Sequence, residues 1–309
     1  MPWRVGVAGR EGWGEDRAVT TSTPTLRGRL GSELFARVAG PRGDQVRDRI
    51  HRTPGPRWYG PDDAIRRVHG DASMFVGGLT ALLLQSWHPR AMAAVAAHSG
   101  YRGDPWGRLQ RTSTFIATTT FGTAAHAEQV IGTVRAIHDR ISGVTADGEP
   151  YAASDPHLLR WVHVTEAHAF LTAHQRYGAE PLDAAGCDEY VTQGARVGRA
   201  LGAEDLPETA AGLQDALDSY LPELRGTPEA REAARFLLVH PPIPLAARVP
   251  YGVLAAASIA GLPRASRRPL GLPDVPWLDG TLARGGGHAV TRAVRWALAA
   301  DPAPPTPAE

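Results

Sequence analysis

The sequence predicts an all-α protein, and three observations carry that prediction. From Pro61 onward, apolar residues recur at spacings of three and four with little period-two alternation, which is the pattern of amphipathic helices. Asp155-Pro156 and His88-Pro89 precede two of these runs, and glycines follow three of them, as helix starts and stops require. The chain has 309 residues and 43% hydrophobic content, enough to bury a sizeable core as one large domain with appendages.

Residues 1–60 are rich in Gly, Arg, Thr and Pro, with one short periodic piece around Leu30 to Val38, and read as an irregular N-terminal arm. Helices are then expected over about 61–69, 73–86, 88–99, 106–121, 124–142, 155–177, 184–201, 208–221, 227–239, 244–261 and 288–300. Asp155-Pro156 supplies an N-cap followed by proline at the first helical position, and His88-Pro89 opens a helix in the same way. Gly122, Gly143 and Gly202 sit just past helix ends, where a left-handed residue is expected. The proline-rich "HPPIPLAARVP", "GLPDVPW" and "DPAPPTPAE" read as a bend, a linker and a disordered tail. The helical domain is thus expected over 61–262, with 263–309 as linker, terminal helix and tail. The sequence has no internal repeat.

Composition excludes several classes of function. All 33 basic residues are arginines, so lysine Schiff-base chemistry and pyridoxal phosphate anchoring are absent. With 32 acidic residues interleaved among them, the net charge is +1, and no basic stripe favours nucleic acid as a partner. The single cysteine, Cys187, rules out a disulfide framework, a Cys-rich zinc site and the attachment motif of a c-type haem. It fits a reducing, cytoplasmic location. The N-terminal "MPWRVGVAGREGWGEDRAV" lacks the apolar core of a secretory signal. The longest apolar run, "MFVGGLTALLLQSW", is too short to span a bilayer and reads as a buried helix, so no membrane span is expected.

Three stretches carry candidate chemistry. In "RLQRT", Arg108 and Thr112 are four residues apart and share a helix face, with Arg111 one turn along and Phe115 continuing the face. Either these arginines lie on a solvated edge and pair with carboxylates, or the helix faces an anion or polar substrate. In the next helix, Val130, Val134, Ile137 and Ile141 form an apolar stripe with His138 on or beside it. Such a histidine is either a satisfied boundary residue or a ligand. In "DPHLLRWVHVTEAHAFLTAHQRY", His163, Glu166, Phe170 and His174 fall on one face, which invites a di-iron reading. The order His-x-x-Glu is the reverse of the usual bundle motif, however, and H-E-x-x-H is absent. His163 facing the same cavity as His138 is the better expectation. The glycine-rich "VGVAGREG" lacks a following βαβ unit, and Cys187 is flanked by Asp188 and Glu189, which disfavour a thiolate.

The runs "GGLTALLLQSWHP", "VAAHSGYRGDPWGRLQRTSTFIATTTFG", "VRAIHDRISG", "YAASDPHLLRWVH" and "ALGAEDLPET", in that order, resemble the family of mpaB oxygenases and rubber oxygenases, also called latex clearing proteins. The resemblance covers roughly residues 65 to 260. It implies a globin-like helical core holding haem b and its iron through one histidine, His138, with Arg108 and Thr112 bordering the pocket. It also places Arg111 where rubber oxygenases carry a lysine. A guanidinium there can bind a propionate or anion but stays protonated, so it cannot imitate a lysine that ligates iron. Rubber cleavage in the family is thought to use a carboxylate upstream of the arginine motif, yet no Asp or Glu occurs between Asp71 and Asp104. That absence and the missing export signal argue against polyisoprene, an extracellular polymer.

The resulting expectation is a cytoplasmic haem-dependent oxygenase that acts with dioxygen or peroxide on a small apolar or isoprenoid-like substrate. His138 would hold the iron, with Arg108, Arg111, Thr112 and His163 around the pocket and Phe115, Phe121 and Trp161 walling it. The rivals are a non-haem di-iron enzyme using His163, Glu166 and His174, and a helical haem or lipid carrier or sensor without turnover.

Overall fold

The computed structural model describes residues 26–100, 103–275 and 279–299. Over these residues the chain is α-helical apart from one short hairpin, as the sequence pattern predicts. The "VGVAGREG" run and the "DPAPPTPAE" tail lie outside the described residues.

Two helices, α1 (Leu26–Ala39) and α2 (Gly43–Arg52), stand within the stretch expected to be irregular. Their periodicity is masked by a composition rich in Gly and Arg, and tertiary contact holds them. Ile50 of α2 is buried, and Arg57 donates to the carbonyls of Ile50 at 2.8 Å, His51 at 3.1 Å and Thr53 at 3.2 Å. The same guanidinium reaches the carbonyl of Phe121, so one cation caps the ends of two helices whose last carbonyls have no intrahelical partner. The following helices are α3 (Ala64–His69), α4 (Met74–Gln85), α5 (Pro89–His98), α6 (Pro105–Phe121) and α7 (Ala124–His138). The apolar run lies in α4, where Val76, Leu79, Leu83 and Leu84 are buried.

α7 stops at His138, short of the expected end at 142, and the chain turns into β1 (Ser142–Val144) and β2 (Pro150–Ala152). This antiparallel hairpin pairs Gly143 with Tyr151. Gly143 is therefore no helix cap. A Cβ there would stand 2.5 Å from the Tyr151 hydroxyl oxygen. Gly122 is extended, with φ of −78° and ψ of 175°, whereas Gly202 has the left-handed φ of 105° expected of it. The anticipated stripe on α7 also shifts by a residue or more, because Ile137 is 50% exposed while Ala127 and Ile131 are buried.

α8 (Pro156–Tyr177) runs through the core. Asp155 accepts from the His157 amide at 2.9 Å and Pro156 occupies the first turn, as its sequence anticipates. α4 lies against α8, most closely at Gly77, where a Cβ would stand 2.7 Å from a Phe170 ring carbon. Then come α9 (Ala184–Leu201), α10 (Ala210–Ser219), a 3-10 turn (Leu221–Glu223), α11 (Pro228–Leu238), a second 3-10 turn (Leu245–Ala247), α12 (Arg248–Gly261), α13 (Arg264–Arg267) and α14 (Leu282–Leu298). α14 starts earlier than expected and packs against α12 and α1. Its Arg295 grips Asp71 with two hydrogen bonds, at 2.8 and 3.0 Å, and reaches the Tyr177 carbonyl. Burial alone would raise the Asp71 carboxyl. Arg295 and Ser73 outweigh it and leave the group at about 2. Among the described residues, no helix is long and apolar enough to cross a membrane.

Candidate functional site

Asp104 starts α6 by accepting from the Gly107 amide at 2.8 Å, with Pro105 in the first turn. Arg108 is half-buried and its Nη1 donates to Ser99 Oγ at 2.6 Å, which fixes the guanidinium against the end of α5. Arg111 lies on the surface, where its Nη1 faces Asp104 at 3.4 Å across a pair 66% and 63% exposed. Its anion is the cap of its own helix, a weak solvated pair. Thr112 is exposed and Phe115 is half-buried.

His138 is the last residue of α7, half-buried, and its Nδ1 is buried without a hydrogen-bond partner. Burial lowers its pKa, with Asp139 opposing, so the imidazole is held toward its neutral, ligand-competent form. The first part of α6 and the last part of α7 are incompletely covered. No residue of α6 before Thr118 and none of α7 after Ile131 is fully buried, although Phe115, Ile116 and Val134 lie there.

His163, Glu166 and His174 of α8 do not converge on one point. His163 packs into a groove on α9, where a Cβ at Gly198 would approach its ring to 3.0 Å. Its Nε2 is buried without a partner, and burial together with Arg199 pulls the ring down to about 4. Burial raises the Glu166 carboxyl to about 7, and its charge adds to the burial that pushes the Tyr190 phenol well above its usual range. His69 shares hydrogen bonds with Thr120 Oγ1 at 2.8 Å and the Tyr190 hydroxyl at 3.4 Å, and burial holds it at about 3, with His174 adding to the effect. Burial lowers the His174 pKa, with Asp71 and Gln175 opposing and Arg67 and Arg295 adding to the effect. The di-iron reading of His163, Glu166 and His174 fails on this geometry, because their ligand atoms do not form a convergent group among the described residues.

One triad does converge, and the sequence reading missed it. Ligand atoms of His88, His157 and Glu223 all lie within 4.8 Å of one another. His157 Nε2 stands 2.8 Å from Glu223 Oε1, and His88 Nε2 stands 3.4 Å from Oε2. The triad joins the starts of α5 and α8 to the 3-10 turn after α10. Only the two histidines flanking Pro89 and Pro156 gave any local signal, and nothing in the spacing brings Glu223 to them. Trp161, expected to wall a cavity, is fully buried against this group, with ring centroids 5.8 Å from His88 and 5.0 Å from Tyr220. Cys187 is no thiolate: burial pushes its thiol up, and Asp188 and Asp183 add to the effect, with Asp183 in the place expected of Glu189.

The fold is that of an all-α protein, with Arg108 held by Ser99 on α6 and an unpartnered His138 nitrogen at the end of α7. The chain belongs to the family described as "ER-bound oxygenase mpaB/B'/Rubber oxygenase, catalytic domain", whose model matches residues 66–297. That match begins in α3 and runs through α14, beyond the boundary expected at residue 262. No curated protein and no solved structure matches the chain.

Proposed function

We propose that this oxygenase-family domain is a haem b-dependent oxidoreductase, an oxygenase acting with dioxygen or peroxide on a small apolar or isoprenoid-like substrate. Membership of the oxygenase family carries the reading. Three features of the chain fit a haem: the orphaned Nδ1 of His138, the lowered pKa of that ring, and the half-covered apolar residues on α6 and α7. His138 would hold the iron, and Arg108 would meet a propionate. Haem, when bound, supplies the oxygen and one-electron chemistry.

The remaining work falls to the chain's own groups. Arg108, already held by Ser99, orients an anionic or polar atom by charge-assisted hydrogen bonds without having to be ordered first. Phe115, Ile116 and Val134 offer apolar surface that excludes water from an apolar substrate. Thr112 offers a hydroxyl. Arg111 takes no proton from a substrate, since a guanidinium stays charged, and its exposed pair with Asp104 leaves it free to turn toward an arriving anion. His163, in its groove on α9, is assigned to the cofactor side as a positioning residue. Cytoplasmic residence belongs to this reading too, resting on the single cysteine.

Oxygen uptake tests the function. The haem-reconstituted chain, given a reductant and a panel of short isoprenoids, should consume dioxygen in a substrate-dependent manner, with kcat reduced in Arg108→Ala. Uptake no greater than that of free haem at the same concentration contradicts the proposal.

A further inference from the structure

We propose that His88, His157 and Glu223 bind a divalent transition-metal ion, zinc in particular, with one coordination position open to a neighbouring cavity. The proposal is independent of the haem reading and uses none of its residues.

The donor set is two imidazoles and one carboxylate, the three-ligand set that zinc takes when a fourth position is left for water. Zinc-to-ligand bonds of about 2.0–2.2 Å put tetrahedral ligand atoms roughly 3.3 Å apart. The carboxylate oxygens already stand 2.8 and 3.4 Å from the two imidazole nitrogens. His88 is the fixed member. It is 1% exposed and packs against Trp161 and Tyr220; its Nδ1 has no hydrogen-bond partner and its Nε2 has only the 3.4 Å approach of Glu223 Oε2. A buried imidazole with one nitrogen unsatisfied and the other only weakly met is costly unless something else occupies one of them. The other two ligands are adjustable, since the side chains of His157 and Glu223 are 43% and 36% exposed. Their rotation brings the set to bonding distance while His88 stays in place.

Charge around the site permits a cation. Arg90 divides itself between Asp155 at 3.5 Å and Glu223 at 3.4 Å, and Arg225 is taken by Glu149 at 2.9 Å. Three carboxylates therefore face two guanidiniums, and the unbalanced charge is available to an ion. A cavity of about 360 Å³, lined by His88, Arg90, Glu149, Glu223 and Arg225, opens beside the triad and has room for the water or small anion that would complete the coordination.

The test uses the full-length, tag-free, porphyrin-free chain, stripped with a chelator and titrated with zinc against a chromophoric competitor. Cobalt titration reports the geometry through its visible bands. Wild type should bind one equivalent. His157→Ala and Glu223→Gln should each weaken binding by at least the roughly 10–100-fold that loss of even an outer partner costs. Both replaced side chains are partly exposed, and circular dichroism of the metal-free variants checks that they fold. His138→Ala should bind zinc as wild type does, which separates this site from any haem iron. A wild-type chain that binds no zinc, or binds it no more tightly than the two variants, overturns the proposal.

Discussion

Glu166 is a carboxyl whose charge the fold opposes. Burial raises its pKa from 4.5 to about 7, so the folded chain keeps a proton there that the unfolded chain releases. Its contribution is fully present below about pH 4.5 and is lost as pH rises through about 7. Glu166→Gln keeps the shape without the charge. Above pH 7 the variant should therefore be more stable by on the order of 3 kcal/mol, and below pH 4.5 the two should agree. Urea midpoints measured across that range decide it, and an advantage that does not vary with pH contradicts the account. His69, at about 3, and His163, at about 4, act in the opposite sense, because their folded pKa values lie below the ordinary 6.5. Stability should fall in the same titration as pH drops from about 6.5 toward 4, where the unfolded chain takes up protons that the buried rings refuse.

Two glycines separate packing from helix propensity at the scale of elements. At Gly77 a new Cβ would meet the Phe170 ring at 2.7 Å and its Cα at 3.1 Å, while at Gly252 in α12 it would meet nothing within 4 Å. Gly77→Ala should destabilise by about 1–3 kcal/mol through overpacking of α4 on α8, and Gly252→Ala should stabilise by up to about 1 kcal/mol. Urea unfolding measures both; a stabilising Gly77→Ala would mean that α4 and α8 are not so close. Capped and punctuated elements were legible in the sequence: α8 begins where Asp155-Pro156 says, and α9 covers 184–201 as its pattern predicts. α1 showed only as the periodic piece around Leu30 to Val38, and α2 was hidden, because its Arg-rich composition masks its pattern and its end is held by the Arg57 clasp. The hairpin after His138 was equally hidden, since three-residue strands carry no usable alternation.

At the scale of the whole molecule, α14 closes the chain onto its beginning. Arg295 reaches Asp71 just past the end of α3, and the family match, which ends at residue 297, takes in this helix. Arg295→Met leaves a largely buried carboxylate without its cation and should cost about 3–5 kcal/mol, partly recovered in the double variant with Asp71→Asn. Equal melting temperatures for the single and double variants would show the pair to be uncoupled. The candidate sites were legible to unequal degrees. Helical spacing alone left His138 between a boundary residue and a ligand, and it was resemblance across several ordered motifs that singled it out. The convergence of His88, His157 and Glu223 arises only in the folded chain, because three separate elements supply it. Titration of the metal-free chain with haem, followed at the Soret band, decides whether His138 holds the group. Wild type should develop a saturable Soret band at one equivalent that His138→Ala lacks, whereas no specific band in wild type, or an identical titration in the variant, would contradict the account.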